Sequence, residues 1–167
     1  NFNMDKLTEW QATLPQPELE RLANLRQRLV DKSIGFLPIP EPLFIALHGF
    51  SHMLMKQLCF ECGYAAASVR ERLYINEANS MAGILIYTAD GDSEGTLGGL
   101  VRQGECDKLP EIIKRALHDG AWCSSDPLCR EGQNQGMAGL NRAACHACLL
   151  IAETSCEYAN ALLDRRF

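Results

Sequence analysis

Apolar positions recur at helical spacing early in the chain. In the run PELERLANLRQRLVDKS, Leu19, Leu22, Leu25 and Leu29 follow at steps of three and four, which places them on one helix face. Pro15 and Pro17 stand ahead of the run, where a missing N–H costs least, so residues 1–33 are predicted helical. IGFLPIPEP (34–42) follows with prolines at 38, 40 and 42, an extended connector. LFIALHGFSHMLMKQLCFEC (43–62) is apolar almost all round and predicts a buried helix closed by Gly63. AAASVRERL (65–73) reads as a second, short helix. GILIYT (83–88) is a short β-rich run without a charge, predicted as a strand buried on both faces. TLGGLVRQ (96–103) begins another helix, and LPEIIKRALHD (109–119) forms one between Pro110 and Gly120. From Trp122 to about Arg142 cysteine, glycine and asparagine dominate; AACHACLLIAET and CEYANALLDRR then resume helical spacing.

This pattern predicts an α/β fold: a small sheet with a buried central strand, flanked by helices, and a C-terminal cysteine-rich segment. The proline connector is the best internal boundary. Residues 1–42 therefore read as an N-terminal helix and connector, a candidate separate segment of a longer chain, and residues 43–167 as the main domain.

Composition narrows the class. The 167 residues are 47% hydrophobic and 22% charged, ordinary for a globular domain with its own core. No apolar run approaches the roughly 18 residues of a membrane-spanning helix. NFNMDKLTEW lacks the basic-then-apolar order of a secretory signal, so a cytoplasmic location is expected, and a chain starting at Asn reads as part of something longer. The net charge is −5, and no segment forms a basic stripe, so charge alone does not support nucleic-acid binding. Arg70, Arg72, Arg130 and Arg142 are the candidate DNA contacts.

Cysteine is the abnormal count: eight, at 59, 62, 106, 123, 129, 145, 148 and 156. Five fall between Cys123 and Cys156, spaced C-x5-C, then C-x2-C at 145/148, then Cys156. Two intervening residues let both sulfurs of a C-x2-C reach one ion from a tight turn, and a distant pair completes a tetrahedron around structural zinc. Cys145, Cys148 and Cys156 are the expected ligands, with Cys129 favoured as the fourth and Cys123 the alternative. Buried reduced thiols are the plainer reading, and the better one for Cys59 and Cys62. His48 and His52 lie one helical turn apart. Gly49 stands where a metalloprotease helix carries glutamate, so they are read as buried or partner-facing histidines.

The loop after the strand, ADGDSEGTLGGL, lacks the Gly-Lys-Ser/Thr ending of a phosphate-binding loop and the GxGxxG fingerprint. Asp90, Asp92, Glu94, Gly95, Gly98 and Gly99 form a candidate functional loop at the carboxyl end of the strand. If catalytic, it suits a metal-dependent hydrolase or nuclease holding magnesium on its acids. No catalytic triad is compelling, so the sequence leans away from an independent enzyme.

Several strings act together: LHGFSHMLMKQLCFECGYAAASVRERLY, GILIYTADGDSEGTLGGLV, CSSDPLC and LNRAACHACLLIAETSCEYANALLDR. In this order they resemble the C-terminal domain of the DrmB family of the bacterial DISARM anti-phage system, from about residue 43 to 166. More distantly they resemble the zinc-binding domain of MrfA- and Hrq-type DNA helicases. The resemblance implies that Cys145, Cys148 and Cys156, with Cys129 or Cys123, occupy zinc-ligand positions. It implies that Asp90–Gly99 is the glycine-rich loop of that family. It also implies a helicase partner subunit, DrmA-like, which carries the ATPase, with DNA engaged through the complex and no membrane involved. The insert Ser124–Ala144 is longer than in the helicases.

Overall fold

The computed structural model describes residues 1–88 and 99–167. Among these, helix α1 (Met4–Ala12) is capped by Asn3, whose side chain accepts the Lys6 N–H. The chain breaks at Thr13–Pro15, because proline cannot continue a helix, and α2 (Gln16–Asp31) restarts there. Residues 1–33 are thus two helices. Leu22, Leu25 and Leu29 of α2 are buried against Phe44 and Ile45 and against Leu140, Ala161 and Leu162 near the carboxy terminus. The N-terminal helices and the C-terminal segment therefore share one core cluster.

Helix α3 (Pro42–Cys62) is the hub, ending at Gly63 in the left-handed conformation that glycine allows. It touches α1, the two strands and both following helices. At Gly49 the C-terminal segment crosses it so closely that a Cβ would lie 3.1 Å from the Asp164 carbonyl oxygen. A side chain at this position would press on the crossing backbone.

Residues 69–73, predicted as the end of a helix, belong instead to strand β1 (Val69–Asn76), and only residues 66–68 coil, as a single 3-10 turn. Val69, Glu71, Leu73 and Ile75 alternate inward while Arg70, Arg72 and Tyr74 face out, a period of two. Strand β2 (Met81–Thr88) contains the predicted run and pairs antiparallel with β1, Leu73 opposite Ile84. The fold is mixed α/β with a small sheet. Among the described residues the sheet has two strands, so β2 is not flanked on both sides and its outward Leu85 and Tyr87 stay exposed. The Phe2 N–H donates to the Ala82 carbonyl and ties the amino terminus to β2.

Two helices follow: α4 (Gly99–Gln103) and α5 (Leu109–Gly120), whose Ile112 and Ala116 pack on Leu54 and Leu58. A short helix, α6 (Leu128–Glu131), opens the cysteine-rich segment. The helical spacing read after Ala143 does not become an α-helix: apart from one 3-10 turn (Glu153–Ser155), residues 143–167 run as turns and irregular chain, with Ala143, Ala159, Asn160 and Leu162 at positive φ. Side chains take over the backbone pairing that a helix would supply. Asn160 joins the Ile151 N–H and carbonyl, and Asn141 accepts the Leu163 N–H and donates to the Asn160 carbonyl. Yet Leu149, Leu162 and Leu163 are fully buried. Among the described residues no helix is long and apolar enough to cross a membrane.

Candidate metal centre

The turn that carries the C-x2-C forms because the Cys145 carbonyl accepts N–H groups from Cys148, Leu149 and Leu150 together. It brings the Cys145 and Cys148 sulfurs to 3.7 Å. The CSSDPLC loop approaches from the other side, placing Cys123 3.5 Å from Cys145 and Cys129 3.7 Å from Cys148. All four sulfurs lie within 4.8 Å of one another. A tetrahedron with zinc–sulfur bonds of about 2.3 Å has edges of about 3.8 Å, so the spacing matches a closed four-sulfur shell. The donor set fits zinc.

Supporting bonds hold the two halves in register. Asp126 accepts the Cys123 N–H at 2.8 Å and an Arg165 N–H at 2.6 Å, which clamps the loop to the C-terminal segment. Gln135 bridges the cage: its amide donates to the Cys129 carbonyl at 3.0 Å and accepts the Ala144 N–H at 2.8 Å. Backbone N–H groups point at sulfur, Ser125 to Cys123 and Cys145 to Cys148, as suits thiolates. Burial would raise the Cys145 thiol, but hydrogen bonds from the Cys148 N–H and the Cys123 thiol bring it down to about 7. Cys129 and Cys148 are pushed up, first by burial. One thiolate forms readily here, and a cation favours the rest.

Cys123 thus stands with Cys129, Cys145 and Cys148, and Cys156 does not. Its sulfur belongs to a second buried group with His48, His52 and Glu71. The expected ligand set included Cys156, but the chain turns away after the C-x2-C and sets Cys156 against α3. His48 and His52 both direct Nε2 at one Glu71 oxygen, at 3.2 and 3.1 Å. Burial favours neutral His48. Burial opposes the Glu71 charge, yet hydrogen bonds from the two histidines hold its carboxyl well below the usual carboxylate range. Cys156 is pushed up to about 12 by burial and then by the Glu71 charge. Glu71 was not among the expected site residues. The available signal was a glutamate at an inward strand position.

The other candidates are scattered. Arg142 is not at the surface: it is buried between Glu18, at 2.5 Å, and Asp164, at 2.7 Å, which Arg21 also reaches. Arg70 is exposed and donates to the Thr154 carbonyl, Arg72 lies 3.7 Å from Glu157, and Arg130 donates to the Ala121 carbonyl. Cys59 and Cys62 pack near Met55 and Val69, and burial pushes Cys59 up to about 11. His146 is exposed. Asp90, Asp92, Glu94, Gly95 and Gly98 lie outside the described residues; Gly99 opens α4, where a Cβ would meet the Tyr64 hydroxyl at 2.6 Å. Beside the sulfur cage a cleft of about 650 Å³ opens between α3 and α5, with Cys123 and Cys148 in its wall and Phe60 and Trp122 exposed at its rim.

A family model described as "MrfA Zn-binding domain" matches residues 50–149, which include the four clustered cysteines. The chain is also 46% identical over 123 residues to "DISARM protein DrmB" of Bacillus paralicheniformis. That match covers 74% of this chain and 22% of the relative, so the chain spans about a fifth of that protein's length.

Proposed function

Because the chain belongs to the MrfA Zn-binding domain family, we propose that Cys123, Cys129, Cys145 and Cys148 hold a structural zinc ion. On this reading the domain is a non-catalytic, cytoplasmic accessory module of a DISARM-type anti-phage complex. The observation that carries the reading is the four-sulfur shell itself. With four protein ligands no coordination position stays open for water or substrate, the arrangement of structural rather than catalytic zinc.

The likeness to DrmB supports placing the module in phage defence. There it binds a helicase subunit, and DNA is engaged through that complex. The acidic balance suits a scaffold more than a free DNA clamp. Phe60 and Trp122, large apolar side chains exposed beside the zinc cage, are the candidate partner face. Arg70, Arg72 and Arg130 remain the surface cations available to phosphate; Arg142 is committed to internal ion pairs.

Co-expression of the chain with the helicase encoded in the same defence locus tests this. The expected result is a zinc-bearing complex that forms with the native chain and is lost with Phe60→Asp/Trp122→Asp while the zinc stays bound. A folded, zinc-loaded native chain that never co-purifies with the helicase overturns the partner assignment. DNA cleavage by the isolated chain with Mg²⁺ overturns the non-catalytic one.

A further inference from the structure

We propose that His48, His52, Glu71 and Cys156 form a second metal site, fully enclosed, which binds a divalent transition ion, zinc by its donor chemistry. It ties α3 to β1 and to the C-terminal segment. Two of its four members, His48 and Cys156, fall outside the residues that match the zinc-binding family, and the site is independent of the four-sulfur cage.

The distances come first. His48 Nε2 lies 3.3 Å from the Cys156 sulfur and 3.2 Å from Glu71 Oε1, and His52 Nε2 lies 3.1 Å from the same oxygen. The four donor atoms lie within 4.8 Å of one another. Bonds of about 2.0–2.3 Å to nitrogen, oxygen and sulfur give tetrahedral edges of about 3.3–3.8 Å, close to these separations.

Proton placement points the same way. His52 Nδ1 sits 2.8 Å from the Leu149 carbonyl, an acceptor only, so Nδ1 carries the proton. Nε2 is then the nitrogen left for a metal ion, and it points at the Glu71 oxygen. His48 Nδ1 makes no well-formed hydrogen bond among the described residues, and Nε2, turned to Glu71 and Cys156, is that ring's engaged nitrogen. Two ring nitrogens, a carboxylate oxygen and a sulfur aimed at one point in a dry interior are a donor set that a metal cation fills.

The surroundings are built as those of a metal site are. The Leu149 carbonyl fixes the His52 tautomer, and Ser51 Oγ bonds the outer Glu71 oxygen. Backbone N–H groups of Tyr158 and Asn160 donate to the Cys156 sulfur at 3.3 and 3.4 Å, which favours thiolate, as in the four-sulfur cage. Phe44 and Tyr158 pack their rings against His48 and exclude water. Charge also balances: two neutral imidazoles, one carboxylate and one thiolate neutralise a divalent ion. His48, His52 and Glu71 are wholly buried, where a neutral assembly is the one that costs least.

Metal analysis of the purified full chain, with zinc X-ray absorption, tests the inference. The native chain is expected to carry about two ions, with sulfur coordination averaging about two and a half per zinc. Cys145→Ser/Cys148→Ser is expected to keep one ion in a shell dominated by nitrogen and oxygen, and His48→Gln/Cys156→Ser one ion in a four-sulfur shell. A native chain holding a single zinc with about four sulfurs overturns the second site, whether or not either variant folds. A single zinc with about one sulfur upholds it and removes the four-sulfur cage instead.

Discussion

Replacing Cys145 and Cys148 together by serine removes half of the sulfur cage, and the structure sets the scale of the consequence. Residues 132–167 contain no α-helix and only isolated bridges between backbone segments. Their order rests on the cage, on Asp126 and Gln135, and on asparagine side chains. From this segment Leu140, Leu149, Leu162 and Leu163 enter the core with no exposed surface. Each buried leucine contributes roughly 1.5–3 kcal/mol, so roughly 6–12 kcal/mol of burial depends on the segment staying ordered. That equals most of the roughly 5–15 kcal/mol that holds a domain together. A structural zinc supplies about 10 kcal/mol towards that order. The expected outcome is a fold that still forms at low temperature but is weakened as one unit, rather than local fraying. At about 2–4 °C per kcal/mol for a chain of this size, the melting temperature falls by more than about 20 °C. The histidine-bearing group keeps all its donors in this variant, so the change reports the sulfur cage alone. Far-UV circular dichroism follows the helices while a chromophoric chelator counts released zinc from the native chain; release and unfolding should coincide. Zinc leaving stoichiometrically with the helical melt moved by less than about 5 °C would refute the reasoning.

Four further outcomes are expected. Leu25→Ala should cost about 3 kcal/mol and lower a single melting transition by about 10 °C, because Leu25 is 2% exposed in the cluster α2 shares with α3 and the C-terminal segment; two separated transitions, one of them native-like, would make residues 1–42 an appendage. Arg142→Met should destabilise by about 3 kcal/mol by stranding Asp164 and Glu18, with DNA retention by the assembled complex unchanged at equal folded fraction; a selective drop in retention contradicts the burial. Gln135→Ala removes both amide bonds across the cage and should cost about 2 kcal/mol while speeding zinc exchange; unaltered exchange in a competition assay counts against its bridging role. Burial holds the Cys129 and Cys148 thiols above the ordinary range, so both shed protons when zinc binds. Apparent zinc affinity should therefore fall as pH falls, by at least about 100-fold per unit, and a pH-independent affinity near neutrality would contradict it.

The elements legible in the sequence are those whose local chemistry and packing agree. Proline starts mark α2, α3 and α5, with leucines at steps of three and four in α2 and closing glycines at 63 and 120 for the other two, and all three are helices in the structure. Strand β1 was hidden because an inward position carries Glu71, which breaks the apolar alternation that Val69, Leu73 and Ile75 otherwise set. The carboxy-terminal strings looked helical because their apolar residues are spaced for it, but side-chain amides and positive-φ residues hold them in turns. Cys156 seemed to go with the C-x2-C because the two are neighbours along the chain, although its contact with His48 joins residues 108 positions apart. The departures at Glu71 and Cys156 have a common source. A glutamate facing inward, two histidines on the most apolar helix and a cysteine outside the sulfur group each look anomalous against the local pattern, and the fold collects all of them at one point. Each alone would be an unfavourable burial; together they supply complementary donors around a shared centre. Places where a sequence breaks its own pattern are where chemistry outweighs packing, and in this chain four of them meet at one site.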